Sequence, residues 1–197
     1  MTQPLANPRH PEVEVDPMFP DRWSPRAYRS EPIAPAHLAA LFEAARWAPS
    51  CFNEQPWVFC YATTDADRHR FATPLIEKNR QWASNAPVLL YVLARRHFQR
   101  NDNPNRTAAF DAGAAWMSLA LQARKFGMYA HAMAGFDLPT AYDVLAADPD
   151  RYEIIAAVAV GYRAAPDTLP EDVAAREVPS PRKTLSEIAV EGRAPKE

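Results

Sequence analysis

The sequence predicts an α+β domain, and three observations carry that prediction. Residues 57–62, 87–94 and 152–160 are apolar on both alternating faces, the pattern of strands covered on both sides. Leu38, Leu41, Phe42 and Ala45 recur at helical spacing, and residues 107–126 are Ala-rich and apolar nearly all round. None of the five glycines forms a GxGxxG or GxxxxGK loop, which argues against a Rossmann dinucleotide fold or a P-loop.

Each element follows from local chemistry. Residues 1–19 are polar, proline-punctuated and without periodicity, so they read as an extended arm, or a disordered lead, ahead of a domain over 20–197. A short helix holding the first arginines is expected to begin at residues 20–23. Arg22, Ser24 and Arg26 are too close for one helical face; by themselves they read as a solvated basic turn, unless a loop or helix terminus aims them at one ligand. The helix through Leu38 ends before Pro49, which lacks an N–H and biases its predecessor toward extended geometry. Between it and the strand at 57–62, Ser50, Asn53 and Gln55 offer groups that suit a flat heteroaromatic edge.

Asp65 is the expected N-cap of a helix through Arg68, Phe71 and Leu75, interrupted or bent at Pro74. Asn79 follows, a helix C-cap on residue type alone. Residues 95–106 form a polar loop. In the long helix Phe110, Ala114, Met117 and Leu121 share one face, with Trp116, Leu119, Ala120 and Ala123 on adjoining ones, and Gly127 closes it. One chain of this size can hardly surround such a helix, so a partner subunit is the expected second cover. Residues 128–137 read as a strand running into a Gly turn, with Asp137 capping a helix over 138–145, and the strand at 152–160 is ended by Gly161. The tail from 163 to 197 is charged and Pro-containing; alone it reads as a disordered end.

Composition sets the bounds. A chain of 197 residues makes one domain with room for a continuous core. A net charge of -2 leaves no basic footprint for nucleic acid. No apolar run approaches the ~20 residues that cross a bilayer, and the N-terminus has no secretory apolar core. Cys51 and Cys60 stand outside any CxxC or Cys/His ligand spacing, so neither a disulfide scaffold nor a metal site is indicated, and a reducing, cytoplasmic setting is expected. The 20 prolines are scattered between periodic segments and punctuate elements.

The run Ala45-Arg46-Trp47-Ala48-Pro49-Ser50-Cys51-Phe52-Asn53-Glu54-Gln55-Pro56-Trp57 is preceded by Arg22-Trp23-Ser24-Pro25-Arg26 and followed by Pro179-Ser180-Pro181-Arg182-Lys183. In that order and spacing the three resemble the FMN-dependent nitroreductase family. The resemblance implies a central, mostly antiparallel sheet flanked by helices, and an intertwined homodimer with the long helix at its interface and the C-terminal extension embracing the partner. It implies FMN as cofactor and NAD(P)H as co-substrate, with a ping-pong transfer to a small electron-poor acceptor such as a nitroaromatic, quinone or activated alkene. The implied cofactor residues are Arg22, Trp23, Ser24, Arg26, Pro49, Ser50, Cys51, Asn53, Asn79, Ala134, Gly135, Arg182 and Lys183.

Within that set, Arg22, Arg182 and Lys183 suit the phosphate, and Arg26 suits the ring edge that becomes negative on reduction. Ser50, Asn53, Asn79 and the small backbone at Ala134 and Gly135 orient the ring. No catalytic side chain is required, because the cofactor carries the hydride. Residues 95–106 are shorter than the helical insertion that covers the flavin in many nitroreductases, so the resemblance extends to the cofactor site and not to a substrate. Two other classes compete: a flavin-binding protein without turnover, serving storage or sensing, and a thiol hydrolase using Cys51 with His131 or His97.

Overall fold

A computed structural model describes residues 7–194; the first six residues of the expected arm and the last three of the C-terminal extension lie outside the described residues. In chain order the elements are α1 (Met18–Asp21), α2 (Pro35–Arg46), β1 (Trp57–Ala62), α3 (Asp65–Ala72), α4 (Glu77–Ala83) and β2 (Val88–Arg95). There follow α5 (Ala108–Lys125), β3 (Met128–Met133), α6 (Leu138–Leu145), β4 (Tyr152–Tyr162), α7 (Glu171–Ala174) and α8 (Leu185–Ile188).

The four strands form one sheet in the order β1-β2-β4-β3, and every pairing is antiparallel. Strand periodicity builds both cores. Leu90 and Val92 of β2, with Val158 and Val160 of β4, face α2 and α5, meeting Leu38, Leu41, Ala115 and Leu119. Their neighbours Leu89, Tyr91 and Leu93 point the other way, to Phe71, Trp82, Ala141 and Val173. A sheet covered on both faces explains why its central strands show no polar alternation.

Several elements differ from the sequence expectation, each for a physical reason. β1 is an edge strand, mostly half-buried with Tyr61 exposed, because among the described residues no strand lies beyond it. α1 ends before the arginines, and Arg22 is already extended. Thr64, not Asp65, caps α3: its hydroxyl accepts from the Asp67 N–H at 3.2 Å. α3 stops at Ala72, ahead of Pro74, so Leu75 lies beyond it. Asn79 sits inside the separate short helix α4 instead of at a C-cap. The tail after Arg163 is ordered into the second core by Leu169 and Val173. Asp137 does cap α6, accepting from the Thr140 N–H at 2.9 Å, and Gly127, at φ 73°, follows α5.

Gly161 lies within β4, paired with Tyr129, and the strand continues to Tyr162. A Cβ there would stand 2.5 Å from Pro87 Cδ and 3.2 Å from Tyr28 Cδ1. Gly161→Ala is therefore expected to destabilise the protein by about 1–3 kcal/mol through overpacking, read as a lower urea midpoint with an unchanged m-value.

α5 buries Ala112, Ala115, Leu119 and Ala123 against the sheet. Its other face is open. Phe110 is 80% exposed, and Ala114, Met117 and Leu121 are only half-buried.

Candidate active site

The segment from Arg22 to Arg26 lies against β3, where Trp23 meets Tyr129, and is held by groups far away in sequence. The buried carboxylate of Glu177 accepts from the Arg26 N–H at 3.0 and 2.9 Å and from the Ala27 N–H at 3.0 Å. His131, on β3, bonds the Pro25 carbonyl through Nδ1 at 2.8 Å. A carbonyl only accepts, so Nδ1 carries a proton. Its face tilts against Trp82, with ring centroids 4.6 Å apart.

Burial lowers the His131 pKa to about 4, and Arg26 and Arg22 push the same way against the Pro25 hydrogen bond. The unfolded chain thus takes up a proton near pH 6.5 that the folded protein refuses until about pH 4. His131 burial therefore leaves stability intact above pH 6.5 and erodes it by about 3 kcal/mol as pH falls to 4. His131→Gln is expected to flatten the unfolding free energy across that window, checked by urea titrations at several pH values.

Arg9, Arg22, Arg26 and Arg182, with Ser24 and His131, border a polar cavity of about 110 Å³. None of these four arginines forms an ion pair among the described residues. Nη1 of Arg22 is buried and has no hydrogen-bond partner among the described residues. Burial and then the neighbouring Arg182 lower the Arg22 pKa. Clustered guanidinium groups of this kind suit an anion with several acceptor oxygens.

At the far end of β3, Asn79 Nδ2 donates to the Gly135 carbonyl at 3.0 Å. A Cβ on Gly135 would fall 2.7 Å from that Nδ2 and 2.6 Å from Ile76 Cδ1, so only glycine allows the approach. Ala134 beside it is exposed.

The 49–55 loop is built separately. Phe52, Asn53 and Gln55 adopt left-handed backbone, with φ of 53°, 57° and 49°, without a glycine among them. Such strain persists only where the surroundings impose it. Here the buried Asp111 of α5 accepts from the Cys51 N–H at 3.1 Å, Ser50 Oγ accepts from the Gln55 N–H at 3.0 Å, and Glu54 accepts from the Gln99 N–H. Ser50 keeps its hydroxyl proton for another acceptor. Phe52 is 70% exposed, with the Arg100 guanidinium 3.9 Å from its ring centre.

The structure thus gathers Arg22, Trp23, Ser24, Arg26 and Arg182 in one place and brings Asn79 against Gly135. It keeps Pro49, Ser50, Cys51 and Asn53 apart from them, on the loop entering β1, while the arginine turn and Gly135 lie by β3. Those edges are separated by three strand spacings, ~14 Å. Lys183 lies beside Arg182 on a neighbouring, more apolar cleft between arm and tail. Sequence reading missed Arg9, Glu177 and Asp111, and considered His131 only as a thiol base. No motif marks them. Nor does any hydrogen bond among the described residues join Cys51 to His131 or His97, so no dyad forms.

Among the described residues no helix is long and apolar enough to cross a membrane, and no group of three or more His, Cys, Asp or Glu side chains is placed to hold a metal. What fold and site define is an antiparallel α+β protein with an arginine-lined pocket and a glycine-backed edge on one side of its sheet. The model of the Nitroreductase family matches residues 20–81 and 75–162, and the chain belongs to that family. It is similar to a solved oxidoreductase containing FMN, with a TM-score of 0.92 and 44% identity, covering 98% of this chain and 100% of that one. A nitroreductase from Desulfovibrio desulfuricans, so named provisionally and solved in complex with FMN, has a TM-score of 0.72 at 25% identity over 92% of this chain and 100% of its own. A Streptomyces coelicolor protein, provisionally named a NADH dehydrogenase/NAD(P)H nitroreductase, is 27% identical over 178 residues, 81% of this chain and 88% of its own.

Proposed function

We propose that this protein is an FMN-dependent oxidoreductase in which two copies of the chain hold the flavin between them, NAD(P)H reduces it, and a small electron-poor acceptor reoxidises it in a ping-pong cycle. The observation that carries this reading is the arginine pocket, whose lining among the described residues holds four arginines and no carboxylate, and where the buried Nη1 of Arg22 has no hydrogen-bond partner among those residues. That donor set fits a phosphate monoester. Bound FMN supplies the electron transfer itself.

The chain supplies position and charge. Arg22 and Arg182 hold the phosphate, with Ser24 and Lys183 beside them, while Trp23 fixes the turn by packing edge-on to Tyr129 at 5.9 Å. Arg26 stabilises the ring edge that gains negative charge. Asn79, locked on Gly135, and the exposed backbone at Ala134 set the orientation of the ring. Pro49, Ser50, Cys51 and Asn53 contribute from a second copy, since their own loop lies across the sheet from the pocket. The open face of α5 around Phe110 and the exposed Val178, Leu185, Ile188 and Val190 of the tail support an embracing dimer. Residues 1–19 then form the arm and 20–197 the domain with its extension.

The test is spectroscopic. Purified protein is expected to be yellow, to bleach anaerobically with NADPH or NADH, and to recover colour on adding a nitroaromatic or quinone. Colour that neither nucleotide bleaches would indicate flavin binding without turnover. Protein that stays colourless in excess FMN would overturn the proposal.

A further inference from the structure

We propose that Arg9, on the N-terminal arm, is a further phosphate-binding residue of this pocket, and that the arm acts as a strap locking the Arg182 turn against the Arg22 turn. This rests on the FMN reading above but assigns a residue that lies outside every motif supporting it.

Three segments meet at the Arg9 side chain. Nε donates to the Ser180 carbonyl at 2.8 Å, and Nη1 donates to the carbonyls of Pro20 at 3.1 Å and Arg22 at 2.8 Å. The tail, the end of α1 and the arginine turn are therefore fastened by one guanidinium. Asn7 buttresses it, with Oδ1 accepting from the Arg9 N–H at 3.1 Å and Nδ2 donating to Pro20 O at 3.1 Å. Further along the arm, Glu12 accepts from the Leu185 N–H at 3.0 Å, which ties the arm to the tail a second time.

Fastening alone does not explain a cation at this position. Burial, Arg182 and Arg22 all weigh against the charge on Arg9, in that order. The nearby carboxylates are committed elsewhere, Asp21 to Asn7 and Glu12 to the tail backbone. Arg9 nonetheless borders the same polar cavity as Arg22 and Arg182, and its Nη2 makes no hydrogen bond among the described residues. A neutral donor would serve the carbonyls with less repulsion. An anion with three terminal oxygens accounts for the charge, because it offsets the mutual repulsion of the guanidinium groups and accepts from each.

FMN and riboflavin differ only in the phosphate, so the ratio of their affinities isolates what Arg9 contributes at the phosphate. Fluorescence-quenching titrations of both flavins into apo-protein are expected to show Arg9→Ala weakening FMN binding roughly 10- to 100-fold while riboflavin changes by less than about threefold. Arg9→Lys, which keeps the charge without the fork, is expected to fall between. Retained riboflavin binding shows that each variant is folded. An Arg9→Ala protein with the parent's FMN-to-riboflavin ratio would overturn the assignment, whether both affinities were unchanged or both fell together. A parent protein that binds FMN no more tightly than riboflavin would contradict the phosphate reading of the pocket itself, a separate and earlier failure.

Discussion

Glu177→Ala is expected to cost about 3–5 kcal/mol of folding stability and to release FMN with it. The carboxylate is 1% exposed and takes N–H bonds from both Arg26 and Ala27, and Ala27 is fully buried. Removing it leaves two backbone donors that water reaches poorly, each costing about 1–3 kcal/mol. Against a typical total of about 5–15 kcal/mol, that is a large fraction. The turn it anchors carries Arg22, Ser24 and Arg26, so the pocket loosens as the fold weakens. Glu177→Gln retains one acceptor oxygen and is expected to lose less than half as much. Urea unfolding of the three proteins measures the difference; an alanine variant within about 0.5 kcal/mol of the parent would show that the donors find other partners.

Arg22→Met is expected to act in opposite directions on the apo-protein and on cofactor binding. Arg22 is a partly buried cation whose Nη1 has no partner among the described residues, and burial followed by Arg182 disfavours its charge. Replacing such a group by an apolar side chain of similar length removes desolvation and repulsion together, so the apo-protein should melt at a higher temperature. Binding loses a charge-assisted fork to the phosphate, about a 100-fold drop in FMN affinity with little change for riboflavin. Thermal melts with and without FMN read both effects in one experiment. A variant less stable than the parent in the apo form would show that Arg22 serves the fold instead of storing repulsion for a ligand.

Much of the fold is written in local periodicity. The central strands, α2, α5 and the Asp137 cap follow from spacing and side-chain type, because burial on both faces leaves a continuous apolar run and an N-cap needs one short polar side chain. Edge position is not written there. β1 is as continuously apolar as the body of β2, and pairing tells the edge strand from the central one. α4, at seven residues, is too short and polar to show a period.

The site divides the same way. Arg22, Ser24, Arg26 and Arg182 fall in short motifs, which single them out, and the structure gathers them at one cavity; Ser50 and Asn53 fall in a motif too but lie on the separate loop. Glu177 meets its partners from 150 residues away, and Arg9 reaches Ser180 across 171. Such contacts exist only once the tail has packed, so no spacing announces them. The left-handed turn at Phe52, Asn53 and Gln55 is equally hidden, since it contains none of the glycines that usually mark positive φ. Its stability comes from Asp111 on a distant helix.

Native mass spectrometry of the FMN-loaded protein tests the central claim most directly. Each chain carries one arginine pocket and one 49–55 loop at opposite sheet edges, so a symmetric pair completes two sites. A species of two chains with two FMN molecules is the expected result. A single chain retaining FMN, or paired chains that take up none in excess cofactor, would contradict it.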